Sequence, residues 1–355
     1  MLKDLFEKKT IRGVPKKEEN LNPNEQGFYM YGQNILRQYD YKILCNEKYL
    51  QRVDENYPIL AYASSVGEVG LIKESFYRSG NNGAFQGLFP KKKYSLRVML
   101  YILASLKLHF KQFNYDTSMA DVINLKISLP IKDGEIYYEF MEKFIAELEA
   151  EQIAELEAYL TAAGLKNTIL TAEEEFAIEN FSSQRFEKFL LKDLFNEIHQ
   201  GRRLKKDDQI SGKIPFVMSG VTNCGVVGYI SNPVAKFPKN SITVDIFGNT
   251  FYRGYNFGAG DDTGVYWNSE KNYSAKAMLF FAAAIEKSLT GKFSYGNKLR
   301  SSQSKNFEIY LPTKDGEIDF EFMEKFISAV QKIVIVDVVK YSEEKISAYR
   351  QAASK

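Results

Sequence analysis

The chain is poor in the side chains that hold metals and build common active sites. Its 355 residues include two cysteines, two histidines and one tryptophan. Cys45 and Cys224 cannot make a disulfide framework, which is typical of a reducing compartment. Together with His109 and His199 they are too scattered to predict a structural zinc site. We therefore expect a cytoplasmic protein without a structural metal.

Long hydrophobic runs and the signatures of nucleotide chemistry are missing as well. No apolar run reaches the roughly 18 residues of a membrane span, and the N-terminus lacks a signal-peptide core. The chain has no phosphate-binding loop and no Asn/Asp-Pro-Pro-aromatic segment of an amino-methyltransferase. The glycines at 258–264 are typical of a loop, His199 is expected to be structural, and the carboxylates at 261–262 to be solvated. The sequence therefore does not predict an enzyme.

Charge is segregated along the chain, although the net charge is only +2. Residues 1–128 hold 19 basic and 13 acidic side chains, and residues 189–310 hold 16 and 10, so each segment is net +6. Residues 129–188 hold 5 and 14, net −9, and residues 311–355 hold 7 and 8, net −1. Basic segments favour a polyanionic partner, with plain solubility as the alternative.

The sequence repeats itself at an offset of 182 residues. Segments 129–145 and 311–327 are identical at 14 of 17 positions and begin Leu-Pro-x-Lys-Asp-Gly-Glu-Ile. The chain is therefore A–B–A′–B′, with B units that start almost identically and A units that diverge. This pattern is typical of one scaffold that carries two different recognition surfaces, with duplication and drift as the alternative. Shorter anchors of the A units are Leu-Lys-Asp-Leu-Phe at 2–6 and 191–195, Phe-Tyr-Arg at 76–78 and 251–253, and Tyr-Ser at 94–95 and 273–274.

Apolar spacing predicts a long amphipathic helix in each B unit. The first covers about 137–163, with Gly164 as its C-cap. In the second, Ile333–Val336 alone would favour a strand, but the repeat favours a helix that reaches Tyr349. We expect the two apolar stripes to pair as an antiparallel coiled coil, with packing of each helix on its own A unit as the alternative. The stripe residues are Phe140, Phe144 and Leu148 in B, and Phe322, Phe326 and Val330 in B′.

The A units combine helices with short strands. Helices are predicted over 95–109 and 274–289, and strands over 214–218 and 241–246, with glycines between them. The predicted fold class is α+β: two similar mixed α/β domains separated by two long helices, with a pseudo-twofold internal repeat.

This plan resembles the specificity (S) subunit of type I restriction–modification systems and the S subunits of type IIB systems. The resemblance covers essentially the whole chain and rests on the duplicated segments and on stretches such as Gly212–Val217. It implies that residues 1–128 and 189–310 are target recognition domains. It also implies that 129–188 and 311–355 are helical spacers that dock methyltransferase subunits.

The same resemblance implies a subunit without catalytic residues or its own cofactor. S-adenosylmethionine, and ATP with magnesium in a type I system, would bind partner subunits only. The expected partners are double-stranded DNA and methyltransferase subunits. Whether the system is type I or type IIB, and whether restriction subunits join the complex, stays open.

Base reading requires Arg or Lys for guanine and Asn or Gln for adenine, and basic loops supply such groups in both A units. Because Phe-Tyr-Arg recurs in both, its arginine is expected to serve the scaffold or the DNA backbone. The candidate DNA-binding residues are Arg78, Asn81, Asn82, Lys91, Lys92 and Lys93 in the first A unit, and Arg202, Arg203, Lys205, Lys206, Arg253, Asn256, Lys298 and Arg300 in the second.

A spacer helix of about 40 Å corresponds to roughly 12 base pairs, which favours a split target with two unlike halves. Two other hypotheses stay open. The chain could be a protein-interaction scaffold with two similar heads, which would not bind duplex DNA in a salt-dependent way. It could also be an enzyme with an unrecognised site, such as a nuclease acting alone, which would cleave DNA without partners.

Overall fold

The long helices that apolar spacing predicts are present in the computed structural model, which describes residues 1–63, 67–80, 85–111 and 122–353. Within those residues, no helix is long and apolar enough to cross a membrane. The helices are α1 (Leu2–Leu5), α2 (Leu96–Phe110), α3 (Tyr138–Ala162), α4 (Ala172–Glu179), α5 (Leu191–Leu194), α6 (Ala275–Leu289), α7 (Ser301–Ser304) and α8 (Phe320–Ala353).

Two local predictions about the long helices are confirmed. Ile333–Val336 lies inside α8, so the repeat was a better guide than the local β-branched composition. Gly164 has a φ of +67°, and Leu165 N donates to Leu160 O at 2.8 Å. That is the bonding of a glycine C-cap, which ends α3 where the sequence predicts.

The chain divides into two compact units, Met1–Leu156 and Glu157–Lys355. In the first unit a four-stranded antiparallel sheet has the order β1-β7-β4-β5, and a second sheet has the parallel order β2-β6-β3. The hairpin β8–β9 precedes α3. The strands are β1 (Phe6–Thr10), β2 (Gly13–Val14), β3 (Pro23–Tyr31), β4 (Ile59–Ala63), β5 (Glu68–Ile72), β6 (Phe76–Ser79), β7 (Phe85–Pro90), β8 (Ile131–Lys132) and β9 (Glu135–Ile136).

The second unit repeats this plan with one more strand in each of two sheets. Its antiparallel sheet has the order β11-β18-β15-β16, a second sheet has the order β13-β12-β17-β14, and a third has the order β10-β19-β20. The strands are β10 (Phe186–Leu190), β11 (Glu197–Gln200), β12 (Ser211–Val217), β13 (Val226–Ile230), β14 (Lys236–Phe237), β15 (Ser241–Asp245), β16 (Thr250–Arg253), β17 (Phe257–Ala259), β18 (Thr263–Trp267), β19 (Glu308–Lys314) and β20 (Glu317–Ile318).

A helix covers one face of the antiparallel sheet in each unit, and the main core lies between them. In the first unit Ile102 and Leu106 of α2 are fully buried with Leu60 and Leu88 of the sheet. In the second unit Phe281 and Ile285 of α6 are fully buried with Ile242 and Tyr266. Burying one such aliphatic side chain contributes about 1.5 to 3 kcal/mol, so this layer is a main source of stability in each unit.

The short sequence anchors have structural roles that the two units share. Ser95 caps α2 by accepting from Val98 N at 3.2 Å, and Ser274 caps α6 by accepting from Ala277 N at 3.1 Å. Each recognition domain is closed where its ends meet. Leu2 N donates to Leu125 O at 2.9 Å, and Leu191 N donates to Phe307 O at 3.0 Å.

The alignment of the two Phe-Tyr-Arg triplets is wrong. Strand for strand, β5 corresponds to β16, because each is an edge strand beside β4 or β15. Phe251–Arg253 lies on β16, whereas Phe76–Arg78 lies on β6, which corresponds to β17 and has a parallel neighbour. A match of three residues was too short to outweigh topology.

The phenylalanines of the predicted coiled-coil stripe pack on their own recognition domains. Phe326 stacks on Phe181 at 4.4 Å between ring centroids and meets Phe280 of α6 edge to face at 6.0 Å. Phe144 meets Tyr101 of α2 edge to face at 5.7 Å and stacks on Phe140 at 6.0 Å. These rings therefore contact aromatic residues of the A units and the linker, and the pairing of the two stripes as a coiled-coil seam stays a prediction.

Within the second unit, the end of α3 and the linker after it run antiparallel to α8. Ser342 Oγ donates to a Glu157 carboxylate oxygen at 3.3 Å, and Lys332 Nζ donates to Ile169 O at 2.8 Å. Of the other stripe residues, Leu148 is 42% exposed and Val330 is half-buried.

Candidate nucleic-acid interface

A cleft opens at the same place in both units, where a pair of parallel strands ends. In the second unit the parallel strands β12 and β17 end at Val217 and Ala259. The next residues, Met218 and Gly260, line a cleft of 670 Å³. In the first unit β3 and β6 run parallel, and a smaller cleft of 110 Å³ is lined at their ends by Gly32 and Ser79. The repeat therefore places two cavities of different size on one scaffold.

The cleft of the second unit has a cationic wall and an apolar wall. Arg203, Lys205, Lys206 and Gln209 come from the loop after β11, which brings three predicted DNA-binding residues together. Met218 and Val227 provide the apolar side. Such a surface can hold a phosphate backbone, offer an amide to a base edge and contact a thymine methyl group.

Backbone contacts fix the loop that carries these cations. Gly201 N donates to Thr263 O, and Arg202 N to Ala259 O, both at 2.9 Å. A Cβ at Gly201 would lie 2.1 Å from Gly260 O, so only glycine allows this approach. The loop then makes a tight turn that is closed by Asp208 N donating to Lys205 O at 3.1 Å.

The basic side chains of this loop are free to meet an anion. Arg202, Arg203, Lys205 and Lys206 are exposed and make no ion pair with the part of the chain that the structure describes. Exposed and unpaired cations at an open cleft are the groups that neutralise DNA phosphates.

Arg300 lies at the edge of the same cleft. Its Nη1 donates to Asp261 O at 2.7 Å, and Gln200 Nε2 donates to the same oxygen at 2.9 Å. Ser301 N in turn donates to Gln200 Oε1 at 2.9 Å. These bonds hold the exposed arginine beside the basic loop.

The prediction that Arg253 contacts DNA is wrong, because its side chain is only 1% exposed. Its Nε donates to Thr243 Oγ1 at 3.0 Å and its Nη2 to Cys224 O at 2.6 Å. Asn223 and Cys224 both have positive φ, so the buried guanidinium supports a strained turn beside the cleft. The expected scaffold role is what the geometry shows.

Arg78 occupies an intermediate position. It is half-buried, lines the small cleft of the first unit and donates from Nη1 to Ile11 O at 3.0 Å. Burial lowers the pKa of its guanidinium. The amide side chains of Gln33 and Gln38 line the same cleft, which therefore differs from its counterpart in chemistry as well as size.

The other predicted residues that the structure describes do not line these clefts. Lys91, Lys92 and Lys93 follow β7 and are exposed, with Lys92 over the Tyr138 ring at 4.2 Å. Lys298 lies over Tyr295 at 4.3 Å. The remaining three are Asn256, whose Oδ1 accepts from Lys239 N at 2.8 Å, and Asn81 and Asn82, which fall outside the described residues.

Sequence reasoning missed the basic turn of the first unit. Pro15–Glu19 is closed by Glu18 N donating to Pro15 O at 2.8 Å, which matches the turn at Lys205–Gln209. Arg12, Lys16 and Lys17 are exposed there. The signal was available: two lysines followed by two acids stand 14 residues after Leu2 and again 14 residues after Leu191.

Asp245 is a second residue that the sequence did not single out. It is 4% exposed, and its Oδ2 accepts from Ser219 Oγ at 2.9 Å, Gly220 N at 3.0 Å and Asn249 Nδ2 at 2.8 Å. The carboxylate therefore organises the turn that follows β12, at the back of the cleft. A lone Asp at the end of a strand carries no sequence signal for this role.

The groups that could suggest catalysis have structural partners. His199 Nε2 lies 2.6 Å from a Glu197 carboxylate oxygen, and the ring stacks on Trp267 at 5.0 Å. Asp262 Oδ2 accepts from Ser219 N at 3.0 Å. Across the described ranges, no group of three or more His, Cys, Asp or Glu residues could hold a metal ion.

Comparison with known proteins gives one family. The model of the type I restriction modification DNA specificity domain matches residues 1–158 and 184–336. A curated relative, the specificity subunit S.BcgI of a type II restriction enzyme from Heyndrickxia coagulans, is 28% identical over 254 residues, which cover 69% of this chain and 70% of the relative. The crystal structure of a type I restriction–modification S subunit from M. genitalium is 15% identical and shows the same fold, with a TM-score of 0.53 over 98% of this chain and 91% of that one. The chain therefore belongs to the family of restriction–modification DNA specificity subunits and carries two target recognition domains.

Proposed function

We propose that each cleft reads one half of a bipartite DNA target. The observation that carries this is the matched pair of basic turns beside two clefts of unlike lining. The turns at Lys16–Glu18 and Lys206–Asp208 would hold phosphates and set the register of each recognition domain. The cleft residues would then read bases, with Arg203 and Gln209 in one unit and Gln33 and Gln38 in the other.

The unlike clefts predict unlike half-sites. One cleft offers two lysines, a guanidinium, an amide and aliphatic groups in 670 Å³, and the other offers two amides, a phenyl ring and the half-buried guanidinium of Arg78 in 110 Å³. The α3 helix has 25 residues and is about 38 Å long, which suits a gap of roughly 11 base pairs between the half-sites.

Catalysis would belong to partners that dock on the spacer helices. Segment 129–188 is net −9, so DNA repels it and a protein surface is the better match. Methyltransferase subunits would supply the active site and bind S-adenosylmethionine, and ATP with magnesium would bind a motor subunit in a type I complex. This chain would contribute recognition alone.

The test is to co-express the chain with the methyltransferase encoded beside it and to map methylated sites by single-molecule sequencing. A split motif with two unlike halves is the expected result. Replacing residues 189–310 by the same region of another specificity subunit should change one half only. A continuous motif would overturn the two-reader proposal.

A single substitution tests whether the cleft of the second unit reads bases. Arg203→Ala should relax one base position of one half-site, because it removes a cleft guanidinium worth about 1 to 3 kcal/mol of base discrimination. Lys213→Ala is the matched control, since Lys213 is an exposed cation on β12 that does not line the cleft. Equal loss of methylation at all sites in both variants would contradict a reading role.

A further inference from the structure

A turn at the same place in the fold forms part of the cleft in each unit. Residues 32–38 follow β3 in the first unit and residues 218–225 follow β12 in the second, and β3 and β12 are the corresponding first strands of the two parallel pairs. Three residues of the first turn and Met218 of the second line the clefts, so we call these segments the first and second cleft turns. Their sequences, Gly-Gln-Asn-Ile-Leu-Arg-Gln and Met-Ser-Gly-Val-Thr-Asn-Cys-Gly, share no motif. A feature common to both turns is therefore not a by-product of retained sequence.

The first cleft turn has a strained backbone that the core holds in place. Ile35 has a φ of +57°, a conformation that β-branched residues rarely adopt. Its side chain is 4% exposed and belongs to an apolar cluster with Ile59 and Phe76. A Cβ at Gly70 would lie 2.7 Å from Ile35 Cγ2, so the glycine leaves room for the isoleucine. With Ile35 anchored in this way, the next residue, Leu36, lies outside the core and is 62% exposed.

The second cleft turn is held by buried charged side chains instead. Cys224 has a φ of +51°, and its carbonyl accepts from Arg253 Nη2 at 2.6 Å. On the other side of the turn, Asp245 Oδ2 accepts from Gly220 N at 3.0 Å. Arg253 and Asp245 are 1% and 4% exposed. Between these two anchored points, Val221 is 67% exposed.

Both turns thus present an aliphatic side chain to solvent from a backbone that is firmly held. A single exposed aliphatic residue is ordinary. Two at corresponding places in unlike turns are informative, because backbone strain lowers stability and persists where the shape of a segment is used. In the second unit Lys205 and Lys206 line the cleft together with Met218, so a polyanion is the occupant that matches the charge. The exposed aliphatic groups therefore stand where DNA would lie.

We propose that Leu36 and Val221 are wedges that insert between base pairs of the bound DNA, one in each half-site. Apolar side chains inserted in this way unstack a base step and kink the duplex. A firmly held turn suits this role, because it must not yield when the base pairs resist separation. Each kink favours an easily deformed step at that point, which adds selectivity that no hydrogen bond to a base supplies. The inference rests on the proposed binding of DNA at the two clefts and adds deformation of the duplex to the reading of bases.

The test uses the complex co-expressed with the neighbouring methyltransferase and duplexes of the motif that the methylation map supplies. Each duplex carries one fluorescent base analogue, 2-aminopurine for one adenine or pyrrolocytosine for one cytosine, whose emission rises when stacking is lost. Because every base pair contains an adenine or a cytosine, the series covers every step of both half-sites. We expect a step in each half-site at which emission rises at least about twofold on binding.

Three variants assign the signal to the turns. Leu36→Ala should remove the rise in one half-site only, and Val221→Ala should remove it in the other. Leu108→Ala is the matched control and should change neither, because Leu108 is 65% exposed on α2 and belongs to neither turn. All three complexes should bind the duplex within about threefold of the native complex, since the phosphate contacts remain.

The outcomes separate this inference from the proposed function. A rise that persists unchanged in Leu36→Ala and Val221→Ala would come from a base that the methyltransferase displaces, and the wedge proposal would be wrong. Binding of the motif without any rise would also overturn it, and the clefts would then read DNA that stays stacked. If the native complex recognises no split motif, the proposed function and this inference fail together.

Discussion

The two units show that identical residues can have different surroundings in one chain. Phe140 and Phe322 belong to segments that match at 14 of 17 positions, yet Phe140 is 42% exposed and Phe322 is 8% exposed. The difference comes from the chain that flanks the second copy, which brings Phe181 and β10 onto it. The duplicated segments therefore keep the same sequence and fold, whereas the burial of their side chains depends on the segments that flank each copy.

The largest expected effect separates the two arginines that sequence reasoning equated. Arg253→Met should destabilise the second unit by about 3 kcal/mol, because Thr243 and the Cys224 carbonyl lose a buried donor. Arg78→Met should cost the first unit about 1 kcal/mol, since Arg78 is half-buried. Urea unfolding followed by the fluorescence of Trp267, the single tryptophan, reports the second unit, and hydrogen exchange of 59–63 reports the first. Equal losses of stability in the two variants would contradict the difference in burial between Arg253 and Arg78.

A glycine substitution tests how rigidly the cationic loop is held. Gly201→Ala places a Cβ 2.1 Å from a backbone oxygen and should cost about 2 kcal/mol, with weaker DNA binding by the assembled complex. Gly228→Ala is the matched control, because a Cβ there has no neighbour within 4 Å. The contrast between the two is measured by Trp267 fluorescence in urea. If Gly201→Ala left the stability in urea unchanged, the loop would be able to move away from the added Cβ without cost.

Acid should loosen the second unit at a contact that the first unit lacks. Burial alone would raise the pKa of Glu174, but hydrogen bonds from Lys332, Ser328 and the Thr171 amide lower it from 4.5 to about 2. The unfolded chain then takes up the proton first, so the stabilisation is complete above pH 4.5 and is lost as the pH falls toward 2. We expect a loss of about 1 to 2 kcal/mol for α4 packed on α8, after allowing for solvent screening.

Hydrogen exchange of 172–179 between pH 5 and 3 measures this loss, corrected for the intrinsic rate. Glu174→Gln should remove most of the pH dependence, because the carboxylate that Lys332 holds is gone and the other carboxylates of α4 are more exposed. In the repeat, Ala150 stands where Lys332 is, so the first unit has no such pair. A pH response that survives Glu174→Gln would place its cause in another group.

The smallest expected effect tests whether the two basic turns do the same work. Replacing Lys16 and Lys17, or Lys205 and Lys206, by alanine should lower the affinity of the assembled complex for its target about tenfold. Each pair should also reduce the slope of log affinity against log salt by about 2. Fluorescence anisotropy over a salt series measures both quantities. A loss in one variant only would show that the two units hold DNA differently.

Periodicity and the internal repeat sufficed to predict the helices, including α8 across its β-branched run. They could not predict that Phe181 covers Phe326, because that contact depends on a linker with no counterpart in the repeat. The burial of Arg253 was hidden for a similar reason: its acceptors, Thr243 and Cys224, lie on other elements. The basic turn at Lys16 was predictable from its equal distance to the Leu-Lys-Asp-Leu-Phe anchor, and was missed because the A units diverge on either side of it.

The contact between Leu2 and Leu125 would allow the order of the chain segments in the first recognition domain to be changed. A 2.9 Å hydrogen bond joins the beginning and the end of this domain, and the second domain closes in the same way. The fold of the domain therefore does not require the chain to begin at its present first residue. A short linker could join these two points, and new termini could be opened at an exposed loop. A circular permutant of each domain should keep its sheet order and its cleft, although the chain would enter from a different place.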